Sequence, residues 1–257
     1  FILLNIMLVI LNIGDVQTLY LKGALPKGIS HKDFVHSGVG IIIFSIIIAT
    51  SLLMYLQRKE FTNIKNNKAL LTCIYIWIIQ NILMLSSTAL RNDMYIEVYN
   101  YTYKRIGVYV WLLLAAIGLG IMFYKIIRQK SNWYLIKTNV AVWFTVLALS
   151  SLFNWDVYIT QYNLKNKPLK EVDFYYLFSL SDANIPELLA IRKNPDLTSI
   201  RQNSNDITLY REYNLGYSYN ELLKEKLNHY LSDYTNDWRS FDLRDQRITV
   251  SIMSIKK

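Results

Sequence analysis

RNDMYIEVYNYTYKRIGVYVWLLLAAIGLGIMF, residues 91–123, sets five tyrosines among arginines and carboxylates directly ahead of a run that is almost pure hydrocarbon. A soluble helix buries one apolar stripe and keeps a polar face, whereas a bilayer demands roughly 17–25 residues that are apolar all round. The run that follows Arg105 meets the second demand and reads as a membrane span. Tyr95, Tyr99 and Tyr103 repeat every four residues, so on one helix they form a single stripe, with Tyr101 and Tyr109 nearby. An apolar ring with a polar hydroxyl suits the headgroup level, and Lys104 and Arg105 can extend to lipid phosphates from the same place. The expectation is an interfacial helix that runs on into the span.

Working outward, five spans can be drawn, at Phe1–Leu21, Val39–Leu56, Ala69–Leu90, Ile106–Ile127 and Trp133–Phe153. Asn5 and Asn12 in the first should face other helices, while Gly14, Asp15 and Gln17 interrupt its second half. The chain opens on Phe1, not Met, so a processed or truncated product is expected, which leaves room for further spans ahead of it. Apolar residues gather before about Phe153, and from Asn154 the chain reads as a polar domain. The predicted architecture is all-α: a polytopic bundle over 1–153 and a small helical membrane-proximal domain over 154–257. Basic residues in short loops favour the cytoplasm. Arg58, Lys59, Lys65 and Lys68 place one loop inside, and Lys125, Arg128 and Lys130 another. The domain after Asn154 then lies outside, where it is expected to dock on the outer ends of the spans.

Helix punctuation supports the second domain. Pro186 suits a first helical turn capped by Asn184 or Asp182, with Glu187 at the dipole's positive end. Ser218 and Glu221 have capping-box spacing ahead of a helix whose Leu223, Leu227, Tyr230 and Leu231 share a face. ITVSIMSI, residues 248–255, reads as a strand or a final helix, and its helical surroundings favour the helix.

The net charge of +9 raises nucleic acid as a partner. Its lysines and arginines lie largely beside spans, however, where topology and anionic lipid explain them, so no nucleic acid binding is expected. Cys73 is the only cysteine, which removes disulfides and thiolate metal clusters. His31, Asp33 and His36 could be metal ligands, but no further ligand completes a site, and the expectation is a solvated loop with no metal and no cofactor. No phosphate-binding loop, dinucleotide fingerprint, nucleophile elbow or zincin helix occurs, and no catalytic residue is assigned. Gln80 and Asn81 read as interhelical hydrogen bonds and Gly118 and Gly120 as packing positions.

LPKGISHKDFVHSGV (25–39), the Tyr/Arg segment before the fourth span, FNWDVYITQYNL (153–164), DFYYLFSLSDANIPELL (173–189) and DWRSFDLRDQR (237–247) carry a resemblance. In that order they resemble the bacterial polytopic proteins of domain-of-unknown-function family 4173 and its relative 4153. The resemblance implies a helical membrane bundle with a small helical domain, in a bacterial cytoplasmic membrane, and supplies no activity. Matching positions include Gly38, Tyr99, Arg105, Asn154, Asp156, Tyr162, Asn163, Asp173, Tyr176, Leu177, Asp182, Pro186 and Trp238, while Trp155 departs from the pattern.

By helix parity the polar residues Arg105, Asp156, Asn154, Tyr99 and His36 converge on the outer side as a structural or ligand cluster, with Asp156 paired to Arg105 as a clasp between spans four and five. The leading expectation is a non-enzymatic subunit or interaction module of a cell-envelope complex, whose helical tail and outer loops bind a membrane or envelope protein or a small envelope ligand. The rivals are a transporter or channel component, and a membrane enzyme acting on lipid or envelope glycan through Asp156 and Arg105.

Overall fold

A computed structural model describes residues 2–21, 40–41, 43–48, 50–51, 68–195, 197, 201–202, 217–233 and 243–253. The chain divides into two compact units: Phe1–Tyr99 with Lys104–Leu152, and Asn100–Tyr103 with Phe153–Lys257.

In the first unit, α1 (Ile2–Asp15) passes without a break into a π-helical segment, Val16–Leu21. The described residues between 40 and 51, all helical, constitute α2. Then come α3 (Lys68–Tyr99), α4 (Tyr103–Ile127) and α5 (Asn132–Ser151). Among the described residues, four stretches are long and apolar enough to cross a membrane: α1 with its π-helical continuation as far as Leu19, α3, α4 and α5. They coincide with four of the five expected spans; the other, Val39–Leu56, lies partly outside the described residues. Leu8, Ile74, Trp77, Met84, Leu112 and Met122 are among the buried side chains of this unit's core. Trp77 also donates its indole N–H to Ser45 Oγ at 3.0 Å, tying α3 to α2. A methyl on Gly118 would come within 3.2 Å of Asn139 Oδ1, so glycine lets α4 approach α5 there; at Gly120 nothing lies within 4 Å.

Two asparagine- or glutamine-centred breaks shape the hairpins. Gln129 adopts φ 51°, and Lys130 N–H returns to Lys125 O at 3.0 Å, closing α4 with a left-handed residue two positions past its end. Ser131 then caps α5, its Oγ accepting from Tyr134 N–H at 3.2 Å. Asn100 adopts φ 68° between α3 and α4. That break corrects the expected tyrosine stripe: Tyr95 and Tyr99 close α3, Tyr101 lies in the connector, and Tyr103 opens α4. Asparagine tolerates the left-handed region better than any tyrosine around it, which places the break at residue 100.

The second unit contains α6 (Trp155–Asn166), α7 (Phe174–Ser179), α8 (Ile185–Ile191), α9 (Tyr219–Asp233) and α10 (Leu243–Met253). Short 3₁₀ turns at Leu169–Glu171 and Asp182–Asn184 precede α7 and α8. A two-residue antiparallel pair, β1 (Arg201–Gln202) with β2 (Tyr217–Ser218), is the only extended pairing among the described residues. Ile159, Val172, Phe174, Leu177, Ile185, Leu188 and Ile248 are buried. The Ser218–Glu221 box forms reciprocally: Ser218 N–H donates to Glu221 Oε2 at 2.7 Å and Glu221 N–H to Ser218 Oγ at 3.4 Å. Pro186 lies in the first turn of α8, but Asn184 does not cap it with its side chain. That amide donates to Thr160 Oγ1 and Leu177 O instead, at 2.9 and 2.8 Å. Residues 248–253 are helical, as part of α10.

Candidate functional site

Each unit contains a polar centre, buried in the first and partly exposed in the second. In the first it is a seam along α1 and α3. Asn5, Asn12 and Asp15 are spaced to share one face of α1. Asn5 Nδ2 donates to Cys73 O at 2.9 Å, and its Oδ1 accepts from Gln80 Nε2 at 2.7 Å. Asn12 Nδ2 donates to Gln80 O at 3.3 Å, and Arg91 pairs with Asp15 with both side chains buried. The partners rise in number together, so α1 and α3 run parallel. Gln80 thus makes the expected interhelical bond, whereas Asn81 donates within its own helix, to Trp77 O at 2.8 Å.

At the α3–α4 end of this unit, Asn92 Nδ2 donates to Arg105 O at 3.1 Å. Arg105 is buried, donates from one terminal nitrogen to Tyr99 O at 2.6 Å, and lies 4.3 Å over the Tyr95 ring. The tyrosines ahead of the fourth span therefore serve the arginine through a ring face and a carbonyl. Tyr109 donates its hydroxyl to Asp93.

In the second unit the centre gathers on the connector Asn100–Tyr103. Asn100 Nδ2 donates to Glu171 O at 3.0 Å. Asn163 on α6 accepts from Tyr101 N–H and donates to Tyr101 O. Tyr103 N–H donates to Tyr176 Oη at 2.9 Å, and its own hydroxyl to Asp156 Oδ1 at 2.7 Å. Asp156 also accepts from Ser181 Oγ. Asn154 is the cap of α6, its Oδ1 accepting from Val157 N–H at 3.3 Å. Asp173 caps α7 by accepting from Tyr176 N–H at 2.9 Å, which steadies the residue that holds Tyr103.

Behind Ser181, buried Lys226 donates to the carbonyls of Phe178, Leu180 and Ser181 at 3.1, 2.6 and 3.2 Å. Burial lowers its pKa from the ordinary lysine value, opposed by Asp182 and Asp156. Glu187, expected only to favour a helix dipole, accepts from Arg247 at 2.5 Å and from Gln161 at 3.1 Å.

Of the residues expected to cluster, Tyr99 and Arg105 meet in the first unit, and Asn154 and Asp156 stand at the start of α6 in the second. His36, like His31, Asp33, Gly38 and Trp238, lies outside the described residues. Sequence reasoning missed the Asp15–Arg91 pair, although a carboxylate inside a span demands a nearby partner. It also missed Lys226, whose spacing from Leu223 and Tyr230 puts a lysine on the apolar face of α9. Among the described residues no three histidine, cysteine or acidic side chains are grouped to hold a metal ion.

A family model described as a domain of unknown function, DUF4153, matches residues 1–191, which takes in all the candidate spans and the second unit through α8. The match is to the relative, 4153, of the two families that the motifs resemble. No curated protein and no solved structure matches the chain.

Proposed function

We propose that this chain, which belongs to the DUF4153 family, is a multi-pass membrane subunit that binds a partner protein through α5 and catalyses no reaction. One relationship carries the reading. Only 6 % of the span-length stretch of α5 is buried, against 22 % in α4, yet its mean hydropathy is 1.2 against 2.3. A helix facing lipid on nearly every side should be the most apolar of a bundle, because lipid offers no hydrogen-bond partner. Here the barest helix is the least apolar. Large side chains on it, Trp133, Trp143 and Phe144, are exposed, as is Thr145, with Thr138 partly exposed. Aromatic area interleaved with small polar groups suits a neighbouring transmembrane helix, which supplies close packing and hydrogen bonds.

The same reading places the chain in a bacterial cytoplasmic membrane, with the second unit on the extracytoplasmic side, supported by the basic residues of the short loops. A photoreactive amino acid at Trp143, in the native membrane at native abundance, should yield one adduct with a single membrane protein that co-purifies at a fixed ratio. The same group at Ile10 of α1, 65 % exposed, should yield lipid adducts. Lipid adducts alone at both positions would refute the reading.

A further inference from the structure

We propose that the seam between α1 and α3 is a hydrated, proton-accessible site centred on Asp15, whose ligand is a short file of water molecules. It goes beyond the subunit reading and does not depend on it.

Among the described residues, the seam holds buried oxygens that no donor reaches: Asn12 Oδ1, Asp15 Oδ2 and Gln80 Oε1. Each belongs to a side chain at least nine-tenths buried. All three are acceptors. An acceptor in a low-dielectric interior without a donor is costly, and protein interiors rarely tolerate several together. Water is a small donor that can serve two such oxygens at once, and buried polar sites of this kind hold it. An anion would be repelled by a wall of oxygens. A metal cation would meet the Arg91 guanidinium beside the one carboxylate.

The geometry also gives the file a direction. From Asn5 to Asp15 the polar face of α1 covers about 15 Å along the helix axis. Immediately after Asp15 the helix widens into the π-helical segment Val16–Leu21, a departure that recurs at functional positions in membrane and soluble helices alike. Among the described residues, Arg91 is the charged group that the structure puts against Asp15. The π segment and the described residues of α2 contain no charged side chain; Lys68, Asp93 and Glu97 on α3 are exposed, and Arg105 on α4 turns its guanidinium to Tyr99 O and the Tyr95 ring.

Arg91 engages Asp15 Oδ1 and leaves Oδ2 to the water file. Hydronium delivered along the file can pass its proton to Oδ2. One O–H bond forms there, one breaks in hydronium, and a neutral water remains. The new hydroxyl then donates back to the file, and the carboxylate charge that held Arg91 is gone.

Two measurements on the full chain in lipid nanodiscs test the proposal. In a Cys73→Ser background, Asn12→Cys should react with a small water-soluble methanethiosulfonate on the order of ten-fold faster than Ile79→Cys, because the attacking thiolate needs water. Ile79 is 58 % exposed on the lipid side of α3. Acidification of wild-type protein should produce a protonated-carboxyl infrared band that is lost in Asp15→Asn and displaced, not lost, in Asp15→Glu. Equal reactivity at the two cysteines would overturn the hydration. An acid-induced band unchanged in both Asp15 variants would overturn the proton site.

Discussion

Asn163 pairs its side-chain amide with the backbone of Tyr101 in both directions, Oδ1 accepting from the Tyr101 N–H at 2.7 Å and Nδ2 donating to the Tyr101 carbonyl at 2.9 Å. The side chain does for the connector what a neighbouring strand would do. Only a carboxamide supplies a donor and an acceptor side by side in this way. Asn163→Asp keeps the shape and loses the donor, setting a carboxylate oxygen against the Tyr101 carbonyl. The variant should lose about 1–3 kcal/mol of stability, more than Asn163→Ser loses if water enters. Chemical unfolding of the intact chain in detergent measures it, and a neutral Asn163→Asp would contradict the assigned role.

The Asp15–Arg91 pair predicts a specific non-additivity. Both side chains are buried, so removing either strands the other, at a cost of about 3–5 kcal/mol. Asp15→Asn with Arg91→Gln should therefore cost clearly less than the two single losses added together. Thermal unfolding of the four proteins in the same lipid checks it; additive losses would mean that the two groups do not depend on each other.

Tyr219 predicts a change at alkaline pH. Its hydroxyl donates to Leu188 O at 2.5 Å in the interior of the second unit, and burial raises its pKa above the ordinary 10.0, with Arg192 opposing. The folded chain then keeps a proton that the unfolded chain gives up. Its contribution is whole below about pH 10 and is lost as pH rises above that value. Lys226 acts in the other sense: with its pKa lowered, the unfolded chain binds the extra proton, and stability rises with pH up to the ordinary value of 10.5. Unfolding free energies of wild type and Tyr219→Phe should differ by roughly 1–2 kcal/mol near neutral pH and converge above pH 10. A constant difference across that range would exclude the effect.

The proposed orientation predicts one-sided labelling. In a Cys73→Ser background, a cysteine at Lys130 in the α4–α5 turn should be protected from an impermeant thiol reagent on intact spheroplasts, and one at Ser232 on α9 should be labelled. The reverse pattern would invert the topology while leaving the fold untouched.

Helices were legible wherever local chemistry is sufficient. The capping box at Ser218 and Glu221 and the α4 span follow from neighbours within one or two turns, and both form as spaced. The tyrosine stripe was misread because its period of four holds across a break. The break depends on one asparagine whose side chain answers to Glu171, far along the chain. Asn184 looked like a cap for α8 for the same kind of reason: its position is right, but Thr160 and Leu177 offer its amide better partners.

The sequence by itself determined that this chain is a set of apolar helices followed by a polar helical unit, because length, hydropathy and punctuation act locally and the bilayer tolerates few solutions. It also marked Asn5, Asn12, Gln80, Arg105 and Asp156 as residues with unfinished business, since polar groups beside hydrocarbon must be satisfied somewhere. Where they are satisfied only the tertiary structure decided. Which carboxylate meets Arg91, that Arg105 lies over Tyr95, and that Lys226 ends on three carbonyls depend on the relative rotation and register of packed helices. Those are set by the sum of many side-chain contacts across each interface, and no stretch of sequence encodes them alone.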